Sequence, residues 1–85
     1  MTRAIIEIQN MAFLPPSVTV HAGDAVGWIN LDSVIHSIVD DANPDIDSGE
    51  LLTGVSCNRT FLTAGVYPYH CGLYPTMTGT VIVEP

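Results

Sequence analysis

Apolar and polar residues along this chain repeat with a period of two far more than with a helical period. Ser17-Val18-Thr19-Val20-His21 alternates strictly, and Ala25 to Asn30 sets Val26 and Trp28 on one face against Ala25 and Ile29 on the other. Ala4-Ile5-Ile6-Glu7-Ile8 mixes isoleucine with polar positions before Gln9-Asn10 ends the run. Val34 to Val39 is rich in β-branched residues and predicts another strand, as do Val55 to Leu62, Val66 to His70 and Thr78 to Glu84. Turn chemistry separates these runs: Leu14-Pro15-Pro16, Ala22-Gly23-Asp24, the Asp- and Pro-containing stretch Asp40 to Gly49, and Thr63-Ala64-Gly65. No stretch combines sustained 3.6-residue apolar spacing with caps, so little helix is expected. Six to eight short strands predict an all-β sandwich or barrel. Parity places Cys57, Arg59 and Phe61 on one inward face. An arginine there must reach an edge or sit at a bulge.

Composition narrows the function classes. The chain has 85 residues, 47% of them hydrophobic, which fits one domain over residues 1–85 with its own core. Nine acids against two bases give a formal net charge of −7, which excludes a nucleic-acid binder built on a basic stripe. The apolar runs are too short to span a membrane. Met1-Thr2-Arg3 leads straight into a β-like run, with no signal-peptide pattern. A domain this small buries only roughly 60% of its unfolded surface, so a metal or crosslink would help it. Cys57 and Cys71 permit one disulfide, or equally a thiolate ligand and a bystander. Asp32, Asp40, Asp41, Asp45, Asp47 and Glu50 form an acidic side that is either a solvated face or a surface steering a basic redox partner. Asp45-x-Asp47-x-Gly49-Glu50 lacks the spacing of a calcium loop.

The chemistry concentrates near the C-terminus, in Gly65-Val66-Tyr67-Pro68-Tyr69-His70-Cys71-Gly72-Leu73-Tyr74-Pro75-Thr76-Met77. A cysteine leaves a strand, a loop with Gly and Pro follows, and a methionine comes six residues later; His36 lies far upstream. Thiolate, imidazole and thioether are soft to borderline donors and suit copper better than magnesium or calcium. His70 precedes Cys71 on a strand and so points to the other face. His21 sits beside a turn.

The chain resembles the cupredoxins, the plastocyanin and amicyanin family of blue copper proteins, over nearly its whole length. The resemblance rests on Phe13-x-Pro15, on Val18-x-Val20-x-x-Gly23-Asp24-x-Val26-x-Trp28-x-Asn30-x-Asp32-x-x-x-His36, on Thr60-Phe61, on Gly65-x-Tyr67-x-Tyr69-x-Cys71 and on Met77-x-Gly79-x-Val81-x-Val83. It implies a Greek-key β-sandwich of about 7–8 strands, with one copper per chain, cycling between Cu(I) and Cu(II), at one end. By the same resemblance His36 is a nitrogen ligand, Cys71 the thiolate and Met77 the long axial thioether. Ser37 stands where the family commonly has an Asn that ties the two ligand loops. The family's second histidine is replaced by Tyr74. A phenol with a free pKa of about 10 either binds Cu(II) as phenolate or stays off the metal and leaves a three-donor pocket.

The function implied is copper-binding electron transfer at a variant, type 1-like mononuclear site, not enzymatic catalysis. The alternatives are copper(I) storage or delivery, and a metal-free interaction module with Cys57 and Cys71 paired. The expected partner is a redox protein such as a cytochrome or an oxidase. Leu14, Pro16, Leu73, Tyr74 and Pro75 would form an apolar patch at the copper end, which could also pair two copies of the chain. Family members mostly work outside the cytoplasm, which implies a periplasmic or extracellular location.

Overall fold

The computed structural model describes residues 3–85; Met1 and Thr2, from which the start of the chain was read, lie outside them. Eight strands follow in order: β1 (Arg3–Gln9), β2 (Ala12–Leu14), β3 (Ser17–His21), β4 (Ala25–Asn30), β5 (Val39–Asp40), β6 (Ser56–Thr60), β7 (Gly65–His70) and β8 (Thr78–Glu84). They form two four-stranded sheets, β2-β1-β4-β6 and β3-β8-β7-β5. Two pairings are parallel, β1 with β4 and β3 with β8, so the chain crosses repeatedly from one sheet to the other. This is the all-β sandwich that the period-two pattern predicts.

Alternation decides what is buried along β3, β6 and β8, whereas β4 buries Val26, Gly27 and Trp28 in succession. In β8, Gly79, Val81 and Val83 face inward while Thr78 and Glu84 stay exposed. Ile6 and Ile8 of β1, Val26 and Trp28 of β4, Val20, Phe13, Phe61 and Tyr69 complete one continuous core. Tyr69 sits at its centre, with Phe13 and Trp28 packed edge-on at 4.8 and 5.4 Å between ring centroids. It fits because its cross-strand neighbour is Gly79; a Cβ there would overlap the Tyr69 ring and hydroxyl. Burial pushes the Tyr69 phenol up to about 12, and the Trp28 indole beside it offsets part of that rise. Neither the indole N–H nor the phenol oxygen has a well-aligned hydrogen bond.

Two expectations are corrected, and one strand was not foreseen. Val34 to Ile38 is not a strand: its one bridge is His36 to Leu51, and its other backbone bonds go to Asn30 and Ser48 instead of a neighbouring strand. Asp40, read as the start of a loop, ends β5 and pairs with Tyr69. The short β2 had no period to reveal it. It exists because Asn10 and Met11 turn the chain back on β1, both with left-handed backbone at φ 54° and 59°. That conformation suits Asn but costs a residue such as Met.

Candidate metal centre

Two loops at one end of the sandwich carry the expected donors. The first leaves β4 at Asn30, which is fully buried. The Asn30 side-chain amide donates to the carbonyls of Val34 (2.9 Å) and Leu51 (2.8 Å), and its oxygen accepts the Asp32 N–H at 2.9 Å. The loop is therefore wrapped around one amide, and His36 is locked by reciprocal backbone bonds with Leu51 at 3.2 and 2.8 Å. The second loop runs from Cys71, just past β7, to Met77, just before β8. It is closed by Cys71 N–H to the Met77 carbonyl and Met77 N–H to the Tyr74 carbonyl, both 2.9 Å. Gly72 N–H donates to Ser37 Oγ at 3.0 Å, so the two loops are tied although Ser37 is shorter than the Asn common in the family. A Cβ at position 72 would lie 2.7 Å from that oxygen, so the tie needs glycine.

These constraints bring His36 Nδ1 to 3.6 Å from Cys71 Sγ, with both residues at 0% exposure. A tetrahedral metal bonded at about 2.0 Å to nitrogen and about 2.3 Å to sulfur would space its donors about 3.5 Å apart. The pair therefore fits a shared metal ion without rearrangement. Met77 is buried in the same loop, 6% exposed. Tyr74 is 37% exposed, and its ring lies 5.5 Å from the His36 ring at 61°. No three His, Cys, Asp or Glu side chains converge among the described residues, and the loop from Cys71 to Met77 also carries Tyr74, Thr76 and Met77.

Asp32 entered the sequence reading as one position of the family pattern and as part of an acidic side, with no role of its own, and the structure gives it one. Its Oδ2 lies 2.8 Å from His36 Nε2 and accepts the Met11 N–H at 3.0 Å, while Oδ1 accepts the Asn10 N–H at 3.1 Å. The Met11 N–H first, and then the His36 contact, hold the Asp32 carboxyl below its ordinary range. Four-residue spacing signals proximity only on a helix, and residues 32–36 are not helical, so the spacing carried no sign of this contact. The turn that fixes Asp32 comes from residues more than twenty positions away, which no local pattern reveals.

The other singled-out side chains lie apart from the pair. His70 Nδ1 meets Asp41 at 2.6 Å, and His21 meets Glu84 at 3.7 Å. Both cysteines are free thiols, so the paired arrangement of Cys57 and Cys71 is not formed. Cys57 is half-buried, and burial pushes its thiol up. Arg59 reaches the Asp40 carboxylate at 2.9 Å and covers the Phe61 ring at 4.4 Å, which resolves its inward parity. A cavity of about 180 Å³ between β6 and β7, lined by Trp28, Cys57, Arg59, Phe61 and Tyr67 among others, includes none of His36, Cys71, Tyr74 or Met77.

Comparison with known proteins agrees with this architecture. Residues 2–84 match the family model described as copper binding proteins of the plastocyanin/azurin family. The chain is 36% identical over 84 residues to an amicyanin of Paracoccus versutus, covering 94% of this chain but 64% of that protein's length. It is 35% identical over 86 residues to a plastocyanin of Scenedesmus fuscus, covering 87% of this chain and 88% of that one. Among solved structures, a purple cupredoxin from Nitrosopumilus maritimus superposes with a TM-score of 0.88 at 29% identity, over 95% of this chain and 99% of that one. A match over nearly every residue, on the same two-sheet fold, establishes that the chain belongs to the copper-binding plastocyanin/azurin family, the cupredoxins.

Proposed function

We propose that this protein carries single electrons between redox partners through one copper ion held by His36 Nδ1, Cys71 Sγ and Met77. The observation that carries the reading is the buried 3.6 Å approach of Cys71 Sγ to His36 Nδ1. With Nε2 directed at Asp32, a proton on that nitrogen leaves the Nδ1 lone pair facing the thiol. Cys71 would give up its thiol proton and hold copper as the thiolate. Bound copper would supply the one-electron Cu(II)/Cu(I) couple. The chain's contribution is rigidity: the Asn30 clamp, the His36–Leu51 bridge and the Ser37–Gly72 tie hold both donors in place across a change of charge. Leu14, Ile35, Leu73 and Tyr74 are exposed around this end and offer an apolar contact for a redox protein such as a cytochrome or oxidase, or for a second copy of the chain. An extracytoplasmic site of action follows by analogy with the family.

Tyr74 occupies the loop between Cys71 and Met77, where the family pattern has its second histidine, and it shields the His36 edge. A phenol that stays off the metal leaves nitrogen, thiolate and thioether as donors, a set that favours Cu(I). This favours a second reading, copper(I) holding and delivery. One equivalent of Cu(II) added to the apoprotein should give an intense thiolate-to-copper visible band and a paramagnetic signal, both lost in Cys71→Ser. Absence of that band in the wild type overturns the electron-carrier reading, and absence of Cu(I) binding as well overturns the copper reading. Reversible cycling with a cytochrome supports the carrier, whereas reduction followed by ready loss of Cu(I) to a chelator supports delivery. Tyr74→His should shift the band toward that of a four-donor blue site; an unchanged spectrum places Tyr74 away from the metal.

A further inference from the structure

We propose that Asp32 is a positioning residue for the His36–Cys71 centre, one that fixes which imidazole nitrogen faces the sulfur and biases a bound copper toward Cu(II). The argument builds on the copper reading above and starts from the β1–β2 turn. Asn10 and Met11 both adopt left-handed backbone, a conformation in which a methionine is strained. Their two N–H groups converge on one carboxylate, that of Asp32, at 3.1 and 3.0 Å. The Asp32 backbone is held in turn by the Asn30 amide at 2.9 Å. This carboxylate therefore cannot swing, and its Oδ2 is aimed at His36 Nε2 at 2.8 Å.

His36 has no exposure to water, so this is the contact that sets its tautomer. A carboxylate only accepts; Nε2 must carry the proton, and Nδ1 presents its lone pair toward Cys71 Sγ. A histidine whose outer nitrogen donates to a carboxylate is also a more basic ligand. Greater basicity stabilises the higher metal charge more than the lower, so Asp32 lowers the reduction potential. The same arrangement couples the centre to the hairpin turn at Asn10–Met11, which has no candidate ligand of its own.

The test uses Asp32→Asn in the wild type and again in a Met11→Gly background, where glycine relieves the turn strain and keeps the hairpin folded without the carboxylate. In the apoprotein, nitrogen-15 spectra should place the His36 proton on Nε2 for the wild type and for Met11→Gly. Both Asp32→Asn proteins should show mixed tautomers. In the copper-loaded proteins, Cu(II) affinity should fall 10- to 100-fold relative to Cu(I). For a one-electron couple that is a rise of about 59 mV per tenfold change. Met11→Gly alone should leave the potential unchanged, and Asp32→Glu should restore part of it. A wild-type proton on Nδ1, or an Asp32→Asn protein with unchanged tautomer and potential, overturns the proposal while leaving the copper reading intact. Failure of the wild type to bind copper overturns the copper reading, and the apoprotein spectra still decide the positioning role.

Discussion

At the residue scale, two buried polar side chains organise most of what is unusual here. Asn30 uses its whole amide on three backbone groups and shapes the loop that presents His36. Asp40 does comparable work at the other edge of the sandwich. Burial alone would raise its carboxyl, but Arg59 and the backbone N–H groups of Ala42 and Asn43 outweigh that and hold it below the ordinary range. Because its folded value is the lower one, Asp40 stabilises the protein fully above the unfolded value of about 3.9. That stabilisation is lost as pH falls through the folded value. Asp40→Asn should therefore be less stable than wild type at pH 7, with the gap closing as urea midpoints are followed down through pH 3. Arg59→Met should cost about 2 kcal/mol at neutral pH, since it leaves that carboxylate buried without its cation. An unchanged midpoint would show that water replaces the guanidinium.

At the scale of elements, what decides a strand is a partner as much as a pattern. Val34 to Ile38 has the composition of a strand, yet its polar groups are committed to Asn30, Leu51 and Ser48 across the end of the sandwich. Freed from a sheet, this segment can place His36 and Ser37 at successive positions, one toward Cys71 and the other toward Gly72. β2 shows the converse: three residues beside two prolines carry little signal, but a hairpin turn delivers them to β1. Between β7 and β8, the pairing of Tyr69 with Gly79 lets the largest aromatic cluster close. Gly79→Ala should cost about 1–3 kcal/mol by overpacking, measured by denaturant unfolding. A cost near zero would mean that the Tyr69 ring can move aside.

For the whole molecule, the two sheets bring the loops of His36 and Cys71 together at one end, and the acidic 40–50 segment leads from β5 of one sheet toward β6 of the other. Binding to the folded state alone stabilises by mass action, about 4 kcal/mol at a metal concentration a thousandfold above the dissociation constant. Copper loading should therefore raise the melting temperature, and chelation should return it to the apoprotein value; equal melting curves would show that the site does not hold metal. A formal net charge of −7 should also make electron exchange with a basic cytochrome slow down as ionic strength rises. A rate indifferent to salt would assign docking to the apolar residues around Tyr74 instead.

Period-two alternation, β-branched runs and Gly and Pro punctuation determined the all-β architecture, since they act between neighbours in the chain. The resemblance singled out residues 36, 71 and 77 by side-chain chemistry alone, because the chemistry of imidazole, thiol and thioether belongs to the side chain wherever it lies. Convergence was not legible in this way. His36 and Cys71 stand 35 positions apart, and the distance between them depends on the path of two loops held by Asn30 and Ser37. Asp32 is further still from local rules, since a turn 21 and 22 residues earlier holds the carboxylate that faces His36. Contacts of that range are set by how the sheets stack, so only the assembled sandwich could decide them.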